Sequence, residues 1–142
     1  MLRHMKDPRI DQLAGLLTRF SMRVATGERV LIDAYDIPDA MTAALVEAVR
    51  AKKGVPFVQV NHAAVSRAWM LNATDAEMDF QAQWELKRMA GMQAYVAVRG
   101  SDNIYESSDI PADRAKAWAK ALRPVIDRRV NKTKWVVLRW PT

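Results

Sequence analysis

Four short apolar runs set the frame of this chain: Arg29–Tyr35 (RVLIDAY), 56–61 (PFVQVN), 94–100 (AYVAVRG) and 135–139 (WVVLR). In the first, Val30, Leu31 and Ile32 follow one another without a polar break, the pattern of a strand covered on both faces. Successive runs are separated by enough chain for a helical crossover, which parallel strands require and hairpins do not. Right-handed crossovers then generate an open sheet with helices on both sides.

The intervening segments carry the matching helical signals. From Asp7 to Val24, the apolar residues Ile10, Leu13, Ala14, Leu17, Phe20 and Val24 recur at spacings of three and four, which predicts one buried helix face. Asp7 suits its N-cap and Pro8 its first turn. A second helix opens at Pro38 with Met41, Ala44, Leu45, Ala48 and Val49 on one face, and Lys52-Lys53-Gly54 closes it. A short helix is expected over 62–71. Thr74 and Glu77 have the spacing of a capping box, ahead of a helix bearing Met78, Ala82, Leu86 and Met89 and ending at Gly91. The last helix starts at Pro111, with Ala115, Trp118, Ala119, Leu122 and Ile126 as its expected core stripe. Pro124 inside that pattern predicts a kink or a break into two helices. The predicted fold is α/β: an open, mainly parallel four-stranded sheet in a Rossmann-like or flavodoxin-like three-layer arrangement. One domain over 7–142, preceded by a tail at 1–6, accounts for the whole pattern.

Composition narrows the function classes. The chain has 142 residues and no cysteine, which excludes disulfides, thiolate metal sites and a cysteine nucleophile and fits a cytoplasmic protein. No apolar run approaches the roughly 18 residues of a membrane span, and the N-terminus MLRHMKDPRI lacks an apolar leader core. The formal charge is +6. Its densest cations, Arg123 through Lys134, fall where a helix should end, a placement that the helix dipole favours without nucleic acid. The tryptophans are not interleaved with basic residues along one strand, so core or interface packing accounts for them better than base stacking.

No self-sufficient active site emerges from the residues. There is no Gly-x-Gly-x-x-Gly and no phosphate loop ending in Gly-Lys-Ser/Thr. VRGSDN after the third strand offers a single glycine, more in keeping with a plain turn than an anion cradle. His4 lies in the tail. His62 follows the second strand beside Asn61 with no carboxylate or second histidine expected nearby, which fits a surface or capping residue better than a metal ligand or an acid/base. Asp33 and Asp36 flank the end of the first strand as a conceivable metal pair, but the alternation in LIDAYDIPD favours Asp36 and Asp39 serving the N-terminus of the next helix. No catalytic or metal-ligating residue is assigned. Ligands of open α/β sheets gather at the carboxyl ends of the strands, which makes Asp36, Asn61, His62, Gly100, Ser101 and Trp140 the binding candidates.

Taken in order, DPRIDQLAGLLTRFSMRVATGERVLID, NATDAEMDF and PADRAKAWAKALRPVIDRRVNKTKWVVLRWPT resemble the N-terminal domain of the aminopeptidase T and aminopeptidase S type metallo-aminopeptidases. The resemblance runs from about Asp7 to Thr142. It implies a homodimeric enzyme that removes N-terminal residues from peptides with two divalent metal ions (zinc, cobalt or magnesium), held by Glu, His and Asp of a C-terminal catalytic domain. None of those ligand positions falls in this sequence. The resemblance therefore implies a non-catalytic domain, inactive alone, that limits access to the active site, with the catalytic domain and a second copy as partners and with no membrane or nucleic acid. The alternative is a stand-alone α/β module for an anion, a nucleotide or a partner protein.

Overall fold

A computed structural model describes residues 7–100 and 109–141. In chain order the elements are α1 (Pro8–Leu16) with a π-helical turn (Leu17–Ser21), β1 (Arg29–Tyr35), α2 (Asp39–Ala51), β2 (Val55–Asn61), α3 (Ala63–Asn72), α4 (Asp75–Ala90), β3 (Ala94–Arg99), α5 (Ala112–Lys132) and β4 (Lys134–Arg139). The four strands form one parallel sheet in the order β2-β1-β3-β4. β1 and β3 are central and almost entirely buried, as their unbroken apolar runs require.

Each face of the sheet has its own core. On one side Val30, Ile32, Ala94, Val96 and Val98 pack with Ala14, Leu17, Met41, Leu45 and Val49 of the α1–α2 layer, and Val136, Leu138 and Trp140 join them. On the other side Leu31, Tyr95 and Ala97 meet Met89, Met92 and Val125, with Leu86 and Leu122 at the margin. α4 and α5 make this second layer. Thr74 and Glu77 form the expected capping box at the start of α4.

Three local expectations are corrected. The first helix does not continue regularly through Val24. Its last turn is π-helical, with the Met22 amide donating to the Leu17 carbonyl at 2.8 Å. The extra residue per turn rotates Phe20 into solvent, 65% exposed, and brings Met22 inside. Pro124 does not break the last helix either: α5 is continuous from Ala112 to Lys132. Pro124 lies on the exposed side, where water can satisfy the carbonyl that its missing amide leaves free. The inward stripe of α5 is also displaced. Ala115, Ala119 and Ile126 are exposed, whereas Trp118 and Leu122 are half-buried and Val125 is buried. Arg129 continues that stripe and stacks its guanidinium 3.9 Å from the Tyr95 ring centre. A charged residue on the packed face is what misleads a purely apolar count.

Candidate functional site

β1 carries a carboxylate where its neighbours are apolar. Asp33 is 3% exposed, and a buried charge of this kind persists only with hydrogen-bond donors around it. Three side chains supply them. Asn61 Nδ2, at the end of β2, donates to Oδ1 at 2.6 Å. The hydroxyl of Tyr95, on β3, donates to Oδ2 at 2.7 Å, and that of Tyr35 does so at 3.2 Å. The parallel register accounts for the meeting: Asp33 lies beside Gln59 on β2 and Ala97 on β3, so residues two steps away on the same face come within reach. Burial, reinforced by the Asp33 charge, pushes both tyrosine hydroxyls well above their ordinary pKa, so they remain donors.

This network forms the floor of a cavity of about 560 Å³ between the second face of the sheet and the helices above it. Arg88 of α4, Arg99 at the tip of β3 and Arg129 of α5 line it together with Trp118. Arg99 lies 5.3 Å from the Tyr35 ring centre, matching the Arg129–Tyr95 stack. A second pocket of about 260 Å³ adjoins it beneath α3, where Trp69 and Trp118 meet edge to face at 5.2 Å. No residue of α3 is buried, so this helix is a thin wall.

The binding candidates read from the sequence divide into groups. Asp36 and His62 do come together, with the Asp36 carboxylate 3.1 Å from His62 Nδ1 and also accepting from the Ala63 amide at 2.9 Å. Asp36 thus serves the N-terminus of α3 rather than that of α2, because its left-handed backbone (φ 50°) redirects the chain there. Asn61 belongs to the Asp33 network instead. Gly100 closes the crevice between β1 and β3: its amide donates to the Tyr35 carbonyl at 2.6 Å, and a Cβ on it would lie 2.2 Å from the Asp36 carbonyl oxygen. Trp140 is half-buried against the first core, with its amide bonded to the Arg99 carbonyl at 2.8 Å. Ser101 lies outside the described residues. Sequence reasoning weighed Asp33 only as half of a metal pair and missed it as the centre of a network. The available signal was a lone acid within an otherwise apolar strand.

The described residues contain no group of three His, Cys, Asp or Glu arranged to hold a metal ion. His62 and Asp36 are one pair at an exposed helix start, and Asp33 is already committed to three donors. The described residues do not fit a metal centre. No helix among them is long and apolar enough to cross a membrane.

An open parallel α/β sheet with a polar recess on one face defines the class of domain. Comparison then gives its kin: the family described as thermophilic metalloprotease (M29) matches residues 6–142, and the chain belongs to that family. Among solved structures, wild-type AmpT from Thermus thermophilus is similar with a TM-score of 0.76 at 20% identity, over 95% of this chain and 36% of that one. At this identity the likeness establishes the fold, and the chain spans little more than a third of the AmpT length. A transcription repressor of the LacI family from Corynebacterium glutamicum aligns with a TM-score of only 0.39 at 12% identity, over 92% of this chain and 59% of that one, and carries no argument. No curated protein matches the chain.

Proposed function

We propose that this chain is the N-terminal, non-catalytic domain of a metal-dependent aminopeptidase that hydrolyses N-terminal residues from peptides. The observation that carries the reading is the family match over residues 6–142 in a chain that spans only 36% of AmpT. On this reading the two divalent ions (zinc, cobalt or magnesium) belong to a separate C-terminal domain. In the whole enzyme, a cytoplasmic homodimer, this domain stands beside the active site and limits entry to short peptides. Its surface supports partners of that kind. Apolar side chains are exposed on both edge strands, at Phe57, Val58 and Val60 on β2 and at Trp135 and Val137 on β4, and open edges of this kind are usually covered.

Assay of the pure chain on leucine anilide with cobalt, zinc or magnesium tests the reading. Turnover at background is expected. Chelator-sensitive turnover above background would overturn the non-catalytic assignment.

A stand-alone binding module is the second reading, and the three cavity arginines favour its anion-binding form. The nucleotide form loses ground because ligands of such sheets use the crevice at the strand switch point, and here Gly100 packs its backbone against Tyr35 and Asp36 in that crevice.

A further inference from the structure

We infer that the recess between the second face of the sheet and helices α3, α4 and α5 binds a small organic anion, a carboxylate or a phosphate carrying an aromatic or apolar group. Its size suits such a ligand: about 560 Å³, with the adjoining pocket of about 260 Å³ sharing Gln59, Asn61 and Trp118, against roughly 300–1,000 Å³ for small-molecule sites. Its charge selects the sign. Arg88, Arg99 and Arg129 line the space against two acids, Asp33 and Glu85. Asp33 is saturated by Asn61, Tyr35 and Tyr95, and Glu85 accepts from Gln81 at 3.3 Å. No ion pair among the described residues includes any of the three arginines.

The guanidiniums are positioned yet unspent. Arg99 and Arg129 lie over tyrosine rings, and a stacked guanidinium keeps its in-plane N–H groups for another partner. The Nε atoms of Arg88 and Arg129 are buried without a hydrogen-bond partner, as is that of Arg128 outside the recess, and buried unpaired donors are rare enough in folded proteins that a water or a bound anion is the expected partner. The Trp69–Trp118 pair supplies an apolar surface at the adjoining pocket for the uncharged part of the molecule. The recess belongs to this domain whether or not a catalytic domain follows it, so its test is separate from that of peptidase function.

The experiment is thermal denaturation of the 142-residue chain at fixed ionic strength with phenylacetate, phenyl phosphate, inorganic phosphate or the neutral benzyl alcohol. A saturable rise in melting temperature with at least one aromatic anion is expected, weaker with inorganic phosphate and absent with benzyl alcohol. The better of phenylacetate and phenyl phosphate identifies the preferred headgroup. Arg99→Gln, at an exposed strand tip, should weaken binding about tenfold, the scale of one lost charged hydrogen bond, and Arg88→Gln should act in the same direction. Arg50→Gln, on α2 beyond the opposite face, should leave affinity unchanged. Folding of each variant is checked by near-ultraviolet circular dichroism. No saturable shift with either aromatic anion, an equal shift with benzyl alcohol, or undiminished affinity in folded Arg99→Gln and Arg88→Gln would each overturn the inference. A purely structural role for the arginines would lower the melting temperature of the variants with no ligand effect in the wild type.

Discussion

The two faces of the sheet are built from the same four strands and solve opposite problems. Toward α1 and α2, the side chains of β1 and β3 are Val30, Ile32, Ala94, Val96 and Val98, and they meet Met41, Leu45 and Val49, while Asp33, the one buried charged residue among the described residues, faces the other way. Toward α4 and α5, the same strands present Leu31, Asp33, Tyr35, Tyr95 and Ala97, and the space above them is a recess bounded by arginines. A protein interior is close-packed where nothing else is asked of it. The first face gathers buried apolar side chains, whereas the second places the Asp33 network beside open volume, an arrangement that stability alone does not favour.

The largest effect should come from a cavity cut into the first face. Leu45 is wholly buried, and Leu45→Ala should cost about 2–5 kcal/mol in a denaturant melt. Leu122→Ala, half-buried beside the recess, should cost only about 1–1.5 kcal/mol, because transfer is lost without a new void. Equal costs would break the distinction between the faces.

Tyr95→Phe probes the second face directly. It removes a hydrogen bond to the buried Asp33 carboxylate, worth about 1.5–3 kcal/mol at neutral pH. The same hydroxyl governs alkaline behaviour. With the Tyr35 and Tyr95 pKa values raised by burial and by the Asp33 charge, the unfolded chain loses these protons first, near pH 10. Their stabilisation is full below about pH 10 and declines above it, since there the unfolded state binds fewer protons. Tyr95→Phe should make that decline shallower in melts taken across the alkaline range. An unchanged slope would remove Tyr95 from the account.

The smallest effect is expected at Phe20, which the π-helical turn carries into solvent. Phe20→Ser should change stability by no more than about 0.5 kcal/mol. A loss of several times that would mean that the regular helix face read from the sequence persists in solution.

Much of this architecture was legible before any coordinates. The runs at Val30–Ile32 and in AYVAVR, the capping box at Thr74 and Glu77, and the crossover lengths specify strands, helices and a parallel sheet, because each reports on a few neighbouring residues and their need to leave water. The departures arose where a distant partner decided the outcome. Packing against β1 and β3 put Arg129 on the inner stripe of α5 and left Ile126 outside, and the extra residue of the π turn exchanged Phe20 for Met22.

The candidate site was the least legible part. By itself the sequence determined the elements, their order and the acid placed within an apolar strand. Only the tertiary structure decided that β2 lies on one side of β1 and β3 on the other, and hence that Asn61, Tyr35 and Tyr95 converge on Asp33 while Asp36 turns away to His62. Local periodicity specifies which way a side chain points from its own strand. Which side chain it meets depends on strand order and register, settled by packing between segments far apart in the chain.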